Sequence, residues 1–101
     1  MLAFRRKRIN FPTLKSIEQS INDAVAFDRD VRTAEVVLNG YNMQFGNGNH
    51  PILQIKADTA VTSIVGQQVN IRCNLALRDS SGVFDDPYSG FIDVVVVADL
   101  V

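Results

Sequence analysis

The feature that most constrains the fold of this chain is a two-residue alternation of apolar and polar side chains, which runs from about residue 34 to the end. Successive side chains of a β-strand point to opposite faces, so such alternation predicts strands with one buried face. In the clearest example every second residue is apolar, as shown by Val69, Ile71, Cys73, Leu75 and Leu77.

A long strand with one irregularity is predicted between Ala34 and Phe45. The parity of its apolar residues shifts by one across Asn39-Gly40, and either a two-residue hairpin turn or a glycine bulge would produce that shift. We favour the bulge, because a hairpin at this point would leave two very short arms.

Three further segments are predicted to be strands, namely Ile52 to Ala57, Val61 to Val65 and Phe91 to Leu100. The last contains four consecutive valines, Val94 to Val97, so it is apolar on both faces. We expect it to be a central strand or to lie at a subunit contact. One face can meet the core, and the other needs the N-terminal segment or a second subunit to cover it.

The first 28 residues follow a different pattern. A basic run from Arg5 to Arg8 is interpreted as a solvated arm or as a contact to an acidic partner. After Thr13, a plausible N-cap, apolar residues recur every three or four positions and predict a short amphipathic helix: Leu14, Ile17, Ile21 and Ala24. The sequence is therefore divided into a basic arm with a helix at 1–28 and a β-sandwich domain at 29–101.

The composition is that of one folded domain. The 101 residues are 47% hydrophobic and carry a net charge of −1, which excludes a disordered chain and argues against electrostatic attraction to nucleic acid. No apolar run is long enough to predict a membrane span. Strands separated by polar turns, without crossover helices, predict an all-β, antiparallel six-stranded β-sandwich with a short N-terminal helix.

Residues that could perform catalysis are few. His50, the one histidine, precedes a proline at the edge of a glycine-asparagine loop, and Cys73, the one cysteine, lies on the apolar face of a strand. A buried cysteine packs as a small hydrophobic residue, and zinc needs several histidine or cysteine ligands. We therefore expect no enzyme activity and no metal site.

The richest polar segment runs from Asp79 to Gly90 and contains three carboxylates, Asp79, Asp85 and Asp86. It is interpreted first as a structural loop, since aspartate, serine, glycine and proline are common in turns. It is also a candidate ligand contact, and its carboxylates could bind calcium, although their spacing does not match an EF-hand. Arg78 and Tyr88 flank this segment, and such groups can bind sugar hydroxyls and pack on a sugar ring.

The order of strands and turns across residues 31–100 matches that of a known family at five places. These are the strand that leads to Phe45, Pro51 with Ile52 to Ile55, Val69 to Arg72, Ser81-Gly82, and a final strand that ends at Val97-Ala98. In this order the segment resembles an H-type lectin domain, and similar sandwiches occur in phage tail and baseplate proteins. The resemblance implies a six-stranded antiparallel sandwich that forms trimers or hexamers and binds sugars between subunits.

The chain departs from the lectin pattern in having no tryptophan, whereas the family usually carries one near the sugar and another in the last strand. Tyr88 could replace the first, and Val96 or Val97 the second. The candidate ligand-binding residues are therefore those of the acidic segment and its neighbours: Arg78, Asp79, Asp85, Asp86, Tyr88 and His50.

The resulting expectation is a non-enzymatic oligomeric module that binds carbohydrate, with a structural or attachment component of a phage tail, virion or similar assembly as the alternative. The expected partners are copies of the chain and either carbohydrate or neighbouring structural proteins. The sequence has neither a secretory signal nor a disulfide, which favours a cytoplasmic or virion-associated protein released by lysis.

Overall fold

The computed structural model describes residues 1–48, 50–79 and 86–101. These residues form six strands: β1 (Leu2–Leu14), β2 (Gln19–Ala26), β3 (Val31–Phe45), β4 (Ile52–Val65), β5 (Gln68–Asp79) and β6 (Tyr88–Leu100). The strands pair antiparallel in two three-stranded sheets, in the orders β1–β6–β3 and β2–β5–β4. The prediction of an all-β antiparallel fold with six strands is confirmed.

The two sheets face each other in a sandwich-like arrangement and share one apolar core. The central strands β5 and β6 supply most of it, because each is flanked on both sides: Val69, Ile71, Cys73, Leu75 and Leu77 from β5, and Tyr88, Ile92, Val94, Val96, Ala98 and Leu100 from β6. Strands of 12 to 15 residues span about 40–50 Å at 3.3 Å per residue. The protein is correspondingly elongated, with extents of 50 × 18 × 17 Å.

The predicted N-terminal helix is wrong. Residues 13–24, where it was expected, form the end of β1, a connection and most of β2. The basic run from Arg5 to Arg8 is likewise not a free arm, because it lies within β1 and pairs with β6. Residues 1–28 thus contribute one strand to each sheet. The part of the chain that the structure describes contains no helix long and apolar enough to cross a bilayer.

The two N-terminal strands could not be predicted from alternation, because polar residues occupy some of their inward-facing positions. On β2, Gln19 is buried and its side-chain amide donates to the carbonyl of Tyr88 over 3.1 Å. Asp23 faces the other sheet and accepts from the ammonium of Lys7 on β1 over 2.9 Å. Because each group has a partner on another strand, polar side chains are tolerated where alternation alone would demand apolar ones.

The register irregularities agree in part with the sequence. β3 is one strand with a shift between Leu38 and Gly40, so the predicted bulge is confirmed and the hairpin is excluded. The segments Ile52 to Ala57 and Val61 to Val65, predicted as separate strands, are joined in β4, which has irregularities near Leu53 and Thr62. β4 then turns into β5 through Gly66, whose positive φ of 59° favours glycine.

The central position predicted for the last strand is confirmed, since β6 lies between β1 and β3. Val94 and Val96 are buried in the core, whereas Val95 and Val97 point to the opposite face and are only partly covered. Of the two N-terminal strands, β1 lies beside β6 in the same sheet and β2 lies in the other sheet, and therefore neither covers this outer face.

Candidate ligand-binding site

One end of the sandwich collects the polar residues of interest. β1, β3 and β5 end there, and β2, β4 and β6 begin there, as shown by the pairs Leu14–Tyr88, Phe45–Tyr88 and Ile52–Asp79. A backbone hydrogen bond from Gly46 to Pro87 ties the segment after β3 to the segment before β6. Side chains far apart in sequence are thereby brought together.

His50 lies at the centre of this group. Its Nδ1 is 3.5 Å from Oδ2 of Asp79, and its Nε2 is 3.8 Å from Oδ1 of Asp86. Nε2 is also 3.0 Å from Oδ1 of Asn47, and it donates to that oxygen when the ring carries a proton on Nε2. The ring meets Phe45 edge-on, with centroids 4.8 Å apart and planes at 69°. The imidazole is therefore held by contacts on several sides.

The two carboxylates come from different segments. Asp79 is the last residue of β5 and is only 8% exposed, while the side chain of Asp86 is 15% exposed. Asn47 donates from Nδ2 to Oδ1 of Asp86 over 3.0 Å, so this amide bridges the histidine and the carboxylate. We call His50, Asp79, Asp86 and Asn47 the polar cluster. It presents several hydrogen-bond acceptors in a partly buried setting.

A cleft of about 330 Å³ adjoins the polar cluster at His50. About half of its lining surface is apolar, and the apolar side chains are Met43, Phe45, Ile52 and Leu77. Gln44, Gly48 and His50 form the rest. Concave sites with apolar walls and a few convergent polar groups are typical of small-ligand binding.

Three members of the cluster could also hold a metal ion. One ligand atom from each of His50, Asp79 and Asp86 lies within 4.8 Å of the other two. A nitrogen and two carboxylates suit zinc better than calcium, which prefers oxygen ligands alone. Sequence reasoning excluded zinc by counting histidines and cysteines and considered only calcium for the aspartates, because it did not place them beside His50.

The other predicted ligand residues are placed differently. Tyr88 is fully buried in the core, where its hydroxyl donates to the carbonyl of Leu75 over 3.1 Å, so it has no surface for a sugar ring. Burial raises its pKa. Arg78 precedes Asp79 on β5, and strand alternation directs the two side chains to opposite faces. Asp85 lies outside the described residues.

Two residues of the site were missed by sequence reasoning. Asn47 and Phe45 were assigned to a loop and to a strand, without a functional role. The available signal was their closeness to His50 in sequence, because a short connection keeps its residues near one another. The partnership with Asp79 and Asp86 depends on the strand ends and has no counterpart in local sequence.

Comparison of the chain with protein-family models, with curated proteins and with solved structures finds no match in any of the three.

Proposed function

We propose that this protein is a non-enzymatic, oligomeric binding module and that its ligand is a carbohydrate. The observation that carries the proposal is the polar cluster beside a cleft with apolar side chains in its wall. Two carboxylates, an imidazole and an amide converge there from three segments of the chain.

The chemistry of a sugar fits this arrangement. Carboxylates of Asp79 and Asp86 accept hydrogen bonds from hydroxyls, and Asn47 or His50 can donate to a ring or hydroxyl oxygen. The C–H face of a pyranose is apolar and can pack on a wall such as Phe45 or Ile52. The resemblance to H-type lectins supports the same ligand class, although the predicted aromatic, Tyr88, does not line the cleft.

The state of the single thiol supports a role without covalent catalysis. Cys73 is fully buried in the core, and burial raises the pKa of its thiol to about 11. Since the thiolate is the nucleophilic form, this cysteine is unreactive at neutral pH.

The test is a glycan array on the purified chain, with and without calcium, followed by calorimetry on each sugar that binds. Asp86→Asn and His50→Ala should weaken binding at least tenfold, because each removes a polar contact to the ligand worth over about 1.4 kcal/mol. Asp58→Asn is the matched control, since Asp58 is a half-exposed carboxylate in the middle of β4. It should change affinity less than twofold.

Three results would contradict the proposal. The first is silence across all sugars in both conditions. The second is sugar binding that survives both cluster variants, which would place the site elsewhere. The third is release of free sugar from a bound glycoside, which would make the protein an enzyme.

A second proposed function is a structural or attachment component of a phage tail, virion or similar assembly. The supporting observation is a set of large apolar side chains left exposed on the elongated molecule, among them Phe4, at 60% exposure, and Val37, at 51%. Light scattering that shows an oligomer, together with a silent glycan array, would favour this role. Deleting residues 1–25 does not test it, because the deletion removes β1 and most of β2.

A further inference from the structure

The outward side of the β1–β6–β3 sheet carries a continuous apolar strip. Its residues are Leu2 and Phe4 on β1, Val95 and Val97 on β6, and Val37 on β3. We call these five residues the outer strip. Leu2, Phe4 and Val37 are 65%, 60% and 51% exposed, so the strip is open to solvent in the single chain.

The register explains why these residues are contiguous. Phe4 pairs with Val97, which pairs on its other side with Glu35. In the next row, Arg6 pairs with Val95, which pairs with Val37. Directly paired residues of antiparallel strands point to the same face, so both rows lie side by side on the outward side. Apolar side chains fill the middle and one charge stands at each margin.

The two marginal charges lack side-chain partners within the part of the chain that the structure describes. Among the described residues, neither the guanidinium of Arg6 nor the carboxylate of Glu35 makes an ion pair or a side-chain hydrogen bond. Other charges on the same face are paired. Arg8 donates to both oxygens of Asp93 over 2.7 and 3.0 Å, and Asp99 accepts from the Met1 amino group.

We propose that a second copy of this chain covers the outer strip, with Arg6 of each copy opposite Glu35 of the other. A two-fold axis that lies between the copies and runs parallel to β6 places the outward faces of the two β1–β6–β3 sheets against each other. The same rotation reverses the order of the strands across the contact. The β1 margin of one copy then lies over the β3 margin of the other, which brings the basic side against the acidic side twice. The valines of the two β6 strands meet between these charge pairs.

The geometry is within the reach of the side chains. Arg6 and Glu35 differ by one row, which corresponds to about 7 Å along a strand, and packed sheets lie about 10 Å apart. A guanidinium on an extended stem and a carboxylate pointing toward it can span that offset. Covering the outer strip also takes Leu2, Phe4 and Val37, which a single chain leaves exposed, out of water.

This inference rests on the oligomeric part of the proposed function and specifies its contact surface. The test is sedimentation of four forms at low salt over a range of concentrations: wild type, Arg6→Glu, Glu35→Arg and the double exchange. Wild type should form an even-numbered oligomer. Each single exchange places like charges together and should raise the dissociation constant at least about tenfold. The double exchange restores opposite charges and should return it to within about threefold of wild type.

Arg29→Glu is the matched control, because it makes the same change in charge at an exposed residue between β2 and β3. It should leave the association unchanged. A monomeric or odd-numbered wild type would overturn the inference, and so would single exchanges that behave like wild type. Failure to restore association in the double exchange would also overturn it.

Sugar binding, measured on the same variants, separates this inference from the carbohydrate proposal. A wild-type monomer that still binds sugar would support the proposed ligand site and contradict only the proposed contact between copies. An oligomer whose association responds to the charge exchanges as expected, together with a glycan array that shows no binding, would support the contact and contradict the carbohydrate ligand.

Discussion

Gly90 shows how one residue can limit the distance between two paired strands, β3 and β6. It lies on β6 where the backbone of β3 comes close, and a Cβ added at Gly90 would collide with the carbonyl oxygen of Asn42. A backbone oxygen cannot move aside as a flexible side chain could. A methyl group at this position therefore has to displace one strand from the other.

We expect Gly90→Ala to lower the free energy of unfolding by at least about 3 kcal/mol, the upper range for an overpacked site. Gly40→Ala is the control, because a Cβ at Gly40 meets nothing within 4 Å and its φ is not positive. That variant should be unchanged or up to about 1 kcal/mol more stable. Urea unfolding measures both, and equal stability of the two variants would contradict the close approach.

Cys73 provides a second test at this scale. Its side chain is completely buried, and burial raises the pKa of the thiol to about 11. We expect a disulfide reagent at pH 8 to leave the native chain unlabelled and to label it promptly in guanidinium chloride. Rapid labelling of the folded chain would show that the β5 core opens far more readily than its packing implies.

At the scale of elements, β1 and β2 are tied together across the sandwich by a charge pair. The ammonium of Lys7 donates to Asp23 and to the carbonyl of Ala24, each over 2.9 Å. The hydrogen bond from Lys7 holds the pKa of Asp23 below its ordinary value of 3.8. Both side chains are 36% exposed, so solvent screening limits the contribution of the pair to at most about 1 kcal/mol.

The sign of the pH dependence follows from that lowered pKa. The unfolded chain takes up the proton at a higher pH than the folded chain, so the pair stabilises the fold above about pH 4 and loses this effect as the pH falls through the folded-state pKa. Asp23→Asn should be less stable than wild type at pH 7, and the difference should shrink toward pH 3.

Asp28→Asn is the control for this measurement, because the side chain of Asp28 is 90% exposed and its pair with Arg5 is longer, at 3.5 Å. Its effect at pH 7 should be the smaller of the two. A stability difference for Asp23→Asn that stays constant from pH 7 to pH 3 would show that packing, and not charge, causes it.

At the scale of the whole molecule, the proposed contact between two copies would be made through the outward face of β6. Val95 and Val97 lie in the outer strip, next to Phe4 and Val37. An aspartate in the middle of a covered apolar contact would have to lose its water without gaining a partner. We expect Val97→Asp or Val95→Asp to raise the dissociation constant at least about 100-fold, which corresponds to about 2.7 kcal/mol.

Val65→Asp makes the same substitution at a residue that is 66% exposed in the other sheet, and it should leave the mass unchanged. Light scattering gives the mass, and circular dichroism shows whether each variant is folded. A folded Val97→Asp variant with the mass and concentration dependence of wild type would show that the outer strip is not a contact.

Much of the fold could be predicted from sequence because strand alternation is a local property. β5 was readable because every inward residue from Val69 to Leu77 is apolar, and the bulge at Gly40 was readable from a change of parity. β2 could not be predicted from sequence, because Gln19 and Asp23 occupy inward positions. In addition, Ile17, Ile21 and Ala24 follow a helical spacing. The structure satisfies those polar groups from other strands, and local periodicity cannot show this.

The candidate site divides in the same way. The sequence by itself determined that His50, Asp79 and Asp86 lie at or near strand ends, because turn-forming residues surround them. Only the tertiary structure decided that they meet, that Asn47 joins them, and that Tyr88 is enclosed in the core. The physical reason is that side-chain alternation depends on neighbouring residues. A contact between residues 29 or more positions apart depends instead on how the strands pair and how the two sheets stack.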